Sequence, residues 1–446
     1  MASGEGTTNV SVAKLCRFLL TGQENGCYQP GCNNRQLSKD RVPSLDELIR
    51  DNLGDEAVNT ILHFHRQKSG TRDDTGLFAL ALCARSSEPR TKLAAYSVIQ
   101  EMCQLPRDLF LFVHYSETLS KPTTGWGKAQ RRAISHWYNL QDPNRLAEMV
   151  TRYVSRCHWT HKDLMRLAHL KPNNTGSQLI AKYVSKGLDA ARKSLTDDNT
   201  SMELNGVVRY LTAVDELKHT KDEQLAARLI ENHGFHFEHV PSHFIKSKEV
   251  WTTLVSLVPV NVLLQYLPKL CQFGYLRLNG PLVPLVIEQL NSETANPRAK
   301  LHPVDVYLAM KKYEDSGKSP SGRPAKYRPL PGVMEALHNL FVKSFKNIPS
   351  TGKRFLIAVD VRNPMAHSKI PGCPQLTPAV AVALLSLGLL HAEPNGMVQV
   401  VAFSTCDMLP INLRSDMLLA EVTKCMREVI IIHFFFKYLF LLYGTI

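Results

Sequence analysis

The sequence lacks most marks of an exported or metal-stapled protein. Its opening residues, MASGEGTTNVSVAKLC, contain no apolar run, so no secretory signal is expected. Its ten cysteines are scattered, and most sit in apolar helical surroundings such as Cys83 in LFALALCA. That usage predicts free thiols and a reducing compartment; the expected location is cytoplasmic, with a nuclear fraction. Cys27 and Cys32 form one C-x4-C pair, but no second pair lies at zinc spacing, so no structural zinc is expected. Acids are also in short supply. Asp and Glu number 40 against 53 Lys and Arg, which leaves a formal charge of +13 over 446 residues. Such a surplus points to a polyanionic partner. At 44% hydrophobic and 21% charged residues, general disorder and a collagen-like chain are excluded, and the length predicts two or three domains.

Two-residue alternation is nearly absent from Lys14 to Asn347, which disfavours sheet. Apolar residues recur there at three- and four-residue intervals, as in Leu45, Leu48, Ile49 and Leu53, then Val58, Ile61 and Leu62. Ser44 and Glu47 fit a capping box at a helix start. Short turns carrying Gly, Pro or Asn separate the helices, so stacked antiparallel pairs are predicted, a mainly α solenoid or bundle with no strict repeat. The stretch EDSGKSPSGRPAKYRPLPG, residues 314–332, reads as an exposed loop, and one more helix follows over 333–347. Arg354–Val361 then reads as a buried strand, Thr377–Leu390 as a helix and Met397–Ser404 as a second strand, the start of a small α/β domain.

The charge is concentrated. Between Lys121 and Lys193 there are fourteen Lys and Arg against four Asp and Glu, a surplus of ten. His136, His158, His161, His169 and Trp126, Trp137, Trp159 are interleaved, although Trp137 lies in an apolar-periodic run and reads as core. Cations hold phosphates and aromatic faces stack on unpaired bases, so this segment predicts nucleic-acid binding. Catalytic signals are weak. Thr351-Gly352-Lys353-Arg354 lacks the upstream glycine and the following Ser or Thr of a phosphate-binding loop, and it precedes a strand. His233, His236, His239 and His243 are interrupted by Gly234 and Pro241 and need not converge on a metal. No nucleophile, base and orienting group can be matched, so no enzyme is expected.

Five longer stretches resemble the Ro (SS-A) autoantigen family, in order, over residues 13–428. They are LFALALCARSS, GWGKAQRRAI with HWYN, HWTHKDLMRLAHLKP, KSKEVW and TGKRFLIAVD. The resemblance implies a TROVE module of HEAT-like helical repeats closed into a ring over residues 13–352, after a flexible N-terminus at 1–12. It implies a truncated von Willebrand factor A-like domain over 353–428, before a divergent apolar tail at 429–446. It further implies a ribonucleoprotein scaffold in RNA quality control that binds small non-coding Y RNAs and the single-stranded ends of misfolded RNAs. By motif match it implies Arg152, Arg156 and His169 as RNA contacts, with Lys128, Arg131, Arg132, His161, Lys162, Arg166 and Lys171 beside them.

The sequence departs from the family where a metal would sit. The family's first A-domain strand is followed by D-x-S-x-S; here Asp360 remains, but Arg362 and Pro364 stand at the serine positions. A cation repels a divalent metal and proline offers no ligand, so no metal or other cofactor is expected, and Arg362 should pair with Asp360. The tail, VIIIHFFFKYLFLLYGTI, has twelve Val, Ile, Leu or Phe among eighteen residues. Lys437 and His433 offset much of its gain from membrane insertion, so it is expected to pack on the incomplete sheet or to promote aggregation rather than to anchor the chain. The alternative function is a helical-repeat adaptor for acidic proteins, tethered to a membrane through this tail.

Overall fold

A computed structural model of the chain describes residues 3–25, 36–67, 74–122, 125–195, 202–292, 301–317, 327–370, 373–403 and 408–428. The chain divides into two compact units, Met1–Lys221 with Glu238–Pro241, and Asp222–Phe237 with Ser242–Ile446. Cys27, Cys32 and the tail lie outside the described residues, so the readings made on them stay as expectations.

The first unit is helical, and proline and acid residues punctuate it. Pro43, Pro89, Pro106 and Pro143 each open a helix, where their missing N–H is no loss. Glu88 accepts from the backbone N–H groups of Arg90 and Thr91, and Asp142 from those of Asn144 and Arg145. The first helix, Ser3–Thr21, begins inside the segment expected to be flexible, because the turns that bury Leu15, Phe18 and Leu19 continue upstream as helix. The capping box expected at Ser44 and Glu47 does not form. Ser44 lies within the helix Pro43–Arg50 and binds Glu24, while Glu47 accepts from Ser11. Trp137 is core as expected: it is buried, and its indole N–H donates to the Cys103 carbonyl at 2.7 Å. Helices Pro143–Arg152 and Thr175–Lys186 approach closely at Gly176, where a Cβ would lie 2.7 Å from that of Pro143.

The second unit continues with helices from Glu223–His233 to Pro331–Ser344. A three-stranded sheet follows. Phe355–Asp360 runs parallel to Val398–Phe403, with Ala358 opposite Val401; Met408–Ile411 pairs antiparallel on the far side, with Val400 opposite Ile411. The crossover helix Pro378–Ala392 buries Ala383, Leu384 and Leu387, and its His391 ring stacks on Phe345 at 4.7 Å. The first strand is less buried than its apolar run predicts. Val359 is buried but Leu356 is 65% exposed, because the two point to opposite faces of the sheet and the face of Leu356 and Ala358 is uncovered among the described residues. Among the described residues no helix is long and apolar enough to cross a membrane.

Candidate nucleic-acid interface

The helix Lys128–Asn139 carries two opposed faces. Gln130, Ile134, Trp137 and Tyr138 are buried. Lys128, Arg131, Arg132, Ser135, His136 and Asn139 recur at three- and four-residue spacing, so they form one stripe on the other face. The segment 168–173 is fastened along this stripe. The Ser135 hydroxyl donates to the Ala168 carbonyl at 3.2 Å and the Asn139 amide to the Lys171 carbonyl at 3.1 Å. Asn173 answers through its backbone N–H to Asn139 Oδ1 at 3.3 Å and through its side-chain amide to the Asn139 carbonyl at 3.1 Å.

The short helix His161–Leu167 delivers that segment. It starts with a capping box, in which Thr160 and Asp163 exchange side-chain and backbone hydrogen bonds. It stops with His169 in the left-handed region at φ 52°, closed by His169 N–H to the Arg166 carbonyl and Leu170 N–H to the Met165 carbonyl. The stop puts His169 and Lys171 beside the stripe. Together Lys128, Arg131, Arg132, Ser135, His136, Asn139, Ala168, His169 and Lys171 line an open depression of about 580 Å³.

The depression has no acidic lining residue, and among the described residues no carboxylate pairs with Lys128, Arg131, Arg132 or Lys171. It gathers five of the ten predicted contacts. The motif match passed over Ser135, His136 and Asn139, although their helical spacing from Lys128 was readable. Lys162 and Arg166 are exposed outside the depression, and Arg166 lies 3.7 Å from Asp163. Arg156 is exposed on a two-residue hairpin strand opposite Trp159. The turn of this hairpin holds Cys157 and His158 at φ 52° and 67°. Trp159 is half-buried, and its ring centroid is 6.1 Å from that of the buried Trp126.

One predicted contact needs correction, and a second is already paired within the chain. His161 is buried, with Nδ1 2.8 Å from the Tyr138 hydroxyl and its ring against Phe110, so it supports the core and offers RNA nothing. Arg152 is not a free cation. Its guanidinium lies 3.4 Å from Glu148 and 3.1 Å from Glu238, over the Tyr153 ring.

Elsewhere, among the described residues, no group of three or more His, Cys, Asp or Glu is placed to hold a metal ion. Arg362 grips Asp360 through Nε at 3.0 Å and Nη2 at 2.6 Å, and these hydrogen bonds hold the Asp360 carboxyl below its usual range. The carboxylate is thus occupied by a cation of the chain itself, and a divalent ion does not fit there. The four histidines between 233 and 243 do not converge. His239 is buried near Thr151 and Tyr210, while His233 stacks on Phe235 and His243 packs on Phe244. The backbone N–H groups of Thr351 and Gly352 bind the Glu393 carboxylate, so that turn does not serve a phosphate.

A family model described as the TROVE domain matches residues 4–327, most of the chain. The chain belongs to the TROVE domain family. A second model, the Ro60 vWA domain, matches residues 354–433 of this TROVE protein. Two relatives, both named RNA-binding protein RO60, are those of Caenorhabditis elegans and Deinococcus radiodurans. The first is 28% identical and the second 27%, over 88% and 86% of this chain and 69% of each relative. Both names describe RNA-binding proteins. The crystal structure of the Deinococcus radiodurans RO (RSR) protein shares the fold, with a TM-score of 0.76 and 24% identity over 94% of this chain and 80% of that one.

Proposed function

We propose that this TROVE protein binds RNA through the depression between the helix Lys128–Asn139 and the segment 168–173. The carrying observation is the set of four cations, Lys128, Arg131, Arg132 and Lys171, converging with no acid on the lining. Such a surface holds phosphates whatever the sequence, while His136 and His169 supply ring nitrogens for sugar or base edges. The names of the two relatives support the same reading.

We extend the proposal to the RNAs that the family resemblance implies: structured Y RNAs, and misfolded RNAs with single-stranded ends. Crosslinking in cells followed by sequencing of the bound RNA tests it. Small structured RNAs should be recovered, and recovery should fall when Lys128, Arg131 and Lys171 are replaced by Ala. In solution, transfer RNA should compete for the surface far better than polyglutamate. Equal competition by polyglutamate would favour an adaptor for acidic proteins instead.

A further inference from the structure

The segment Glu238–Pro241 packs with the first unit although its flanking residues belong to the second. Its anchor is His239, which is buried with Nε2 3.1 Å from the Thr151 hydroxyl and 3.2 Å from that of Tyr210. Its neighbour Glu238 reaches Arg152, accepting from Nε at 3.1 Å and from Nη2 at 3.3 Å. That is the two-pronged grip by which a guanidinium also holds a phosphate.

We propose that Glu238 is an internal stand-in for RNA phosphate on Arg152, so that RNA gains this cation only by displacing the carboxylate. The inference rests on the RNA reading above. Three features make the exchange feasible. The Arg152 and Glu238 side chains keep 19% and 40% of their exposure, so the pair is reachable from solvent. Arg152 remains oriented after Glu238 leaves, because Glu148 one turn back and the Tyr153 ring hold it from other sides. The strap also remains attached through His239, so loss of the carboxylate grip need not free the segment. Glu238 thus acts as a brake: it lowers affinity for every RNA and penalises weak ligands that cannot displace it.

The test measures binding of a labelled transfer RNA to the full chain across a salt series. Glu238→Gln should tighten binding about three- to five-fold, the worth of an exposed ion pair, and Glu238→Ala should do the same. Arg152→Ala should cost more affinity on the Glu238→Gln background than in the unaltered chain, and that coupling is not expected of a merely structural contact. Inorganic phosphate should compete at Arg152 only weakly, which separates an RNA phosphodiester from a free-anion site; competition as strong as that of RNA would overturn the assignment. Unchanged or weaker binding in both Glu238 variants, with the thermal midpoint retained, would also overturn it. If those variants bind normally while the Lys128 and Lys171 variants lose RNA, the brake fails and the RNA reading stands. If no variant and no unaltered chain binds RNA, the underlying reading fails.

Discussion

The Tyr138 hydroxyl and Nδ1 of His161 lie 2.8 Å apart inside the helical core, and both side chains are buried. Burial pushes the His161 pKa down from 6.5 to about 4. The neutral ring is therefore the folded form, while the unfolded chain takes up a proton below pH 6.5. Stability from this group is complete above that pH and is lost as the pH falls toward 4, by about 3 kcal/mol in all. Urea unfolding at pH 7, 5.5 and 4.5 should show the decline, and His161→Gln should flatten it.

The four cations of the depression should contribute to salt dependence as phosphate contacts do. Replacing Lys128, Arg131, Arg132 or Lys171 singly by Ala should reduce the slope of log K against log salt by about 0.7–0.9 each. Arg166→Ala, beside Asp163, should change the slope less. Filter binding across a salt series checks both statements.

His169 occupies a backbone conformation that suits glycine. His169→Gly should raise stability by about 1 kcal/mol, since the left-handed region costs residues with a Cβ. The same substitution should weaken RNA binding by removing the imidazole from the depression. Thermal unfolding and RNA affinity should therefore move in opposite directions.

Asp360 should take up no divalent metal, because Arg362 already holds both its oxygens. Calorimetric titration with Mg²⁺ or Mn²⁺ should give no saturable heat. Stoichiometric uptake that disappears in Asp360→Asn would refute the salt-bridged reading.

Much of this was legible in the sequence, and the losses have physical causes. The stripe from Lys128 to Asn139 follows helical spacing, and the strand–helix–strand start of the second domain follows apolar runs, so local pattern suffices for both. The left-handed His169 was not legible, because histidine, although enriched in that conformation, adopts it at few positions and here the helix stop imposes it. The hairpin at Ser155–Thr160 has strands of two residues, too short to display alternation. The pairing of Arg152 with Glu238 was not legible, because the two lie 86 residues apart, whereas Glu148 one turn away was in view. His161 entered by motif match alone; its burial shows only in the packing against Phe110 and Tyr138, which the sequence does not display.

The strand Phe355–Asp360 hydrogen-bonds on one side only among the described residues, and Asp360 is its sole charged residue. Natural sheet edges are usually guarded by lysine, proline or a bulge. Among the described residues this edge carries none of those guards, so its unpaired backbone groups are open to a further strand, and losses of purified protein on storage are expected to rise with its concentration.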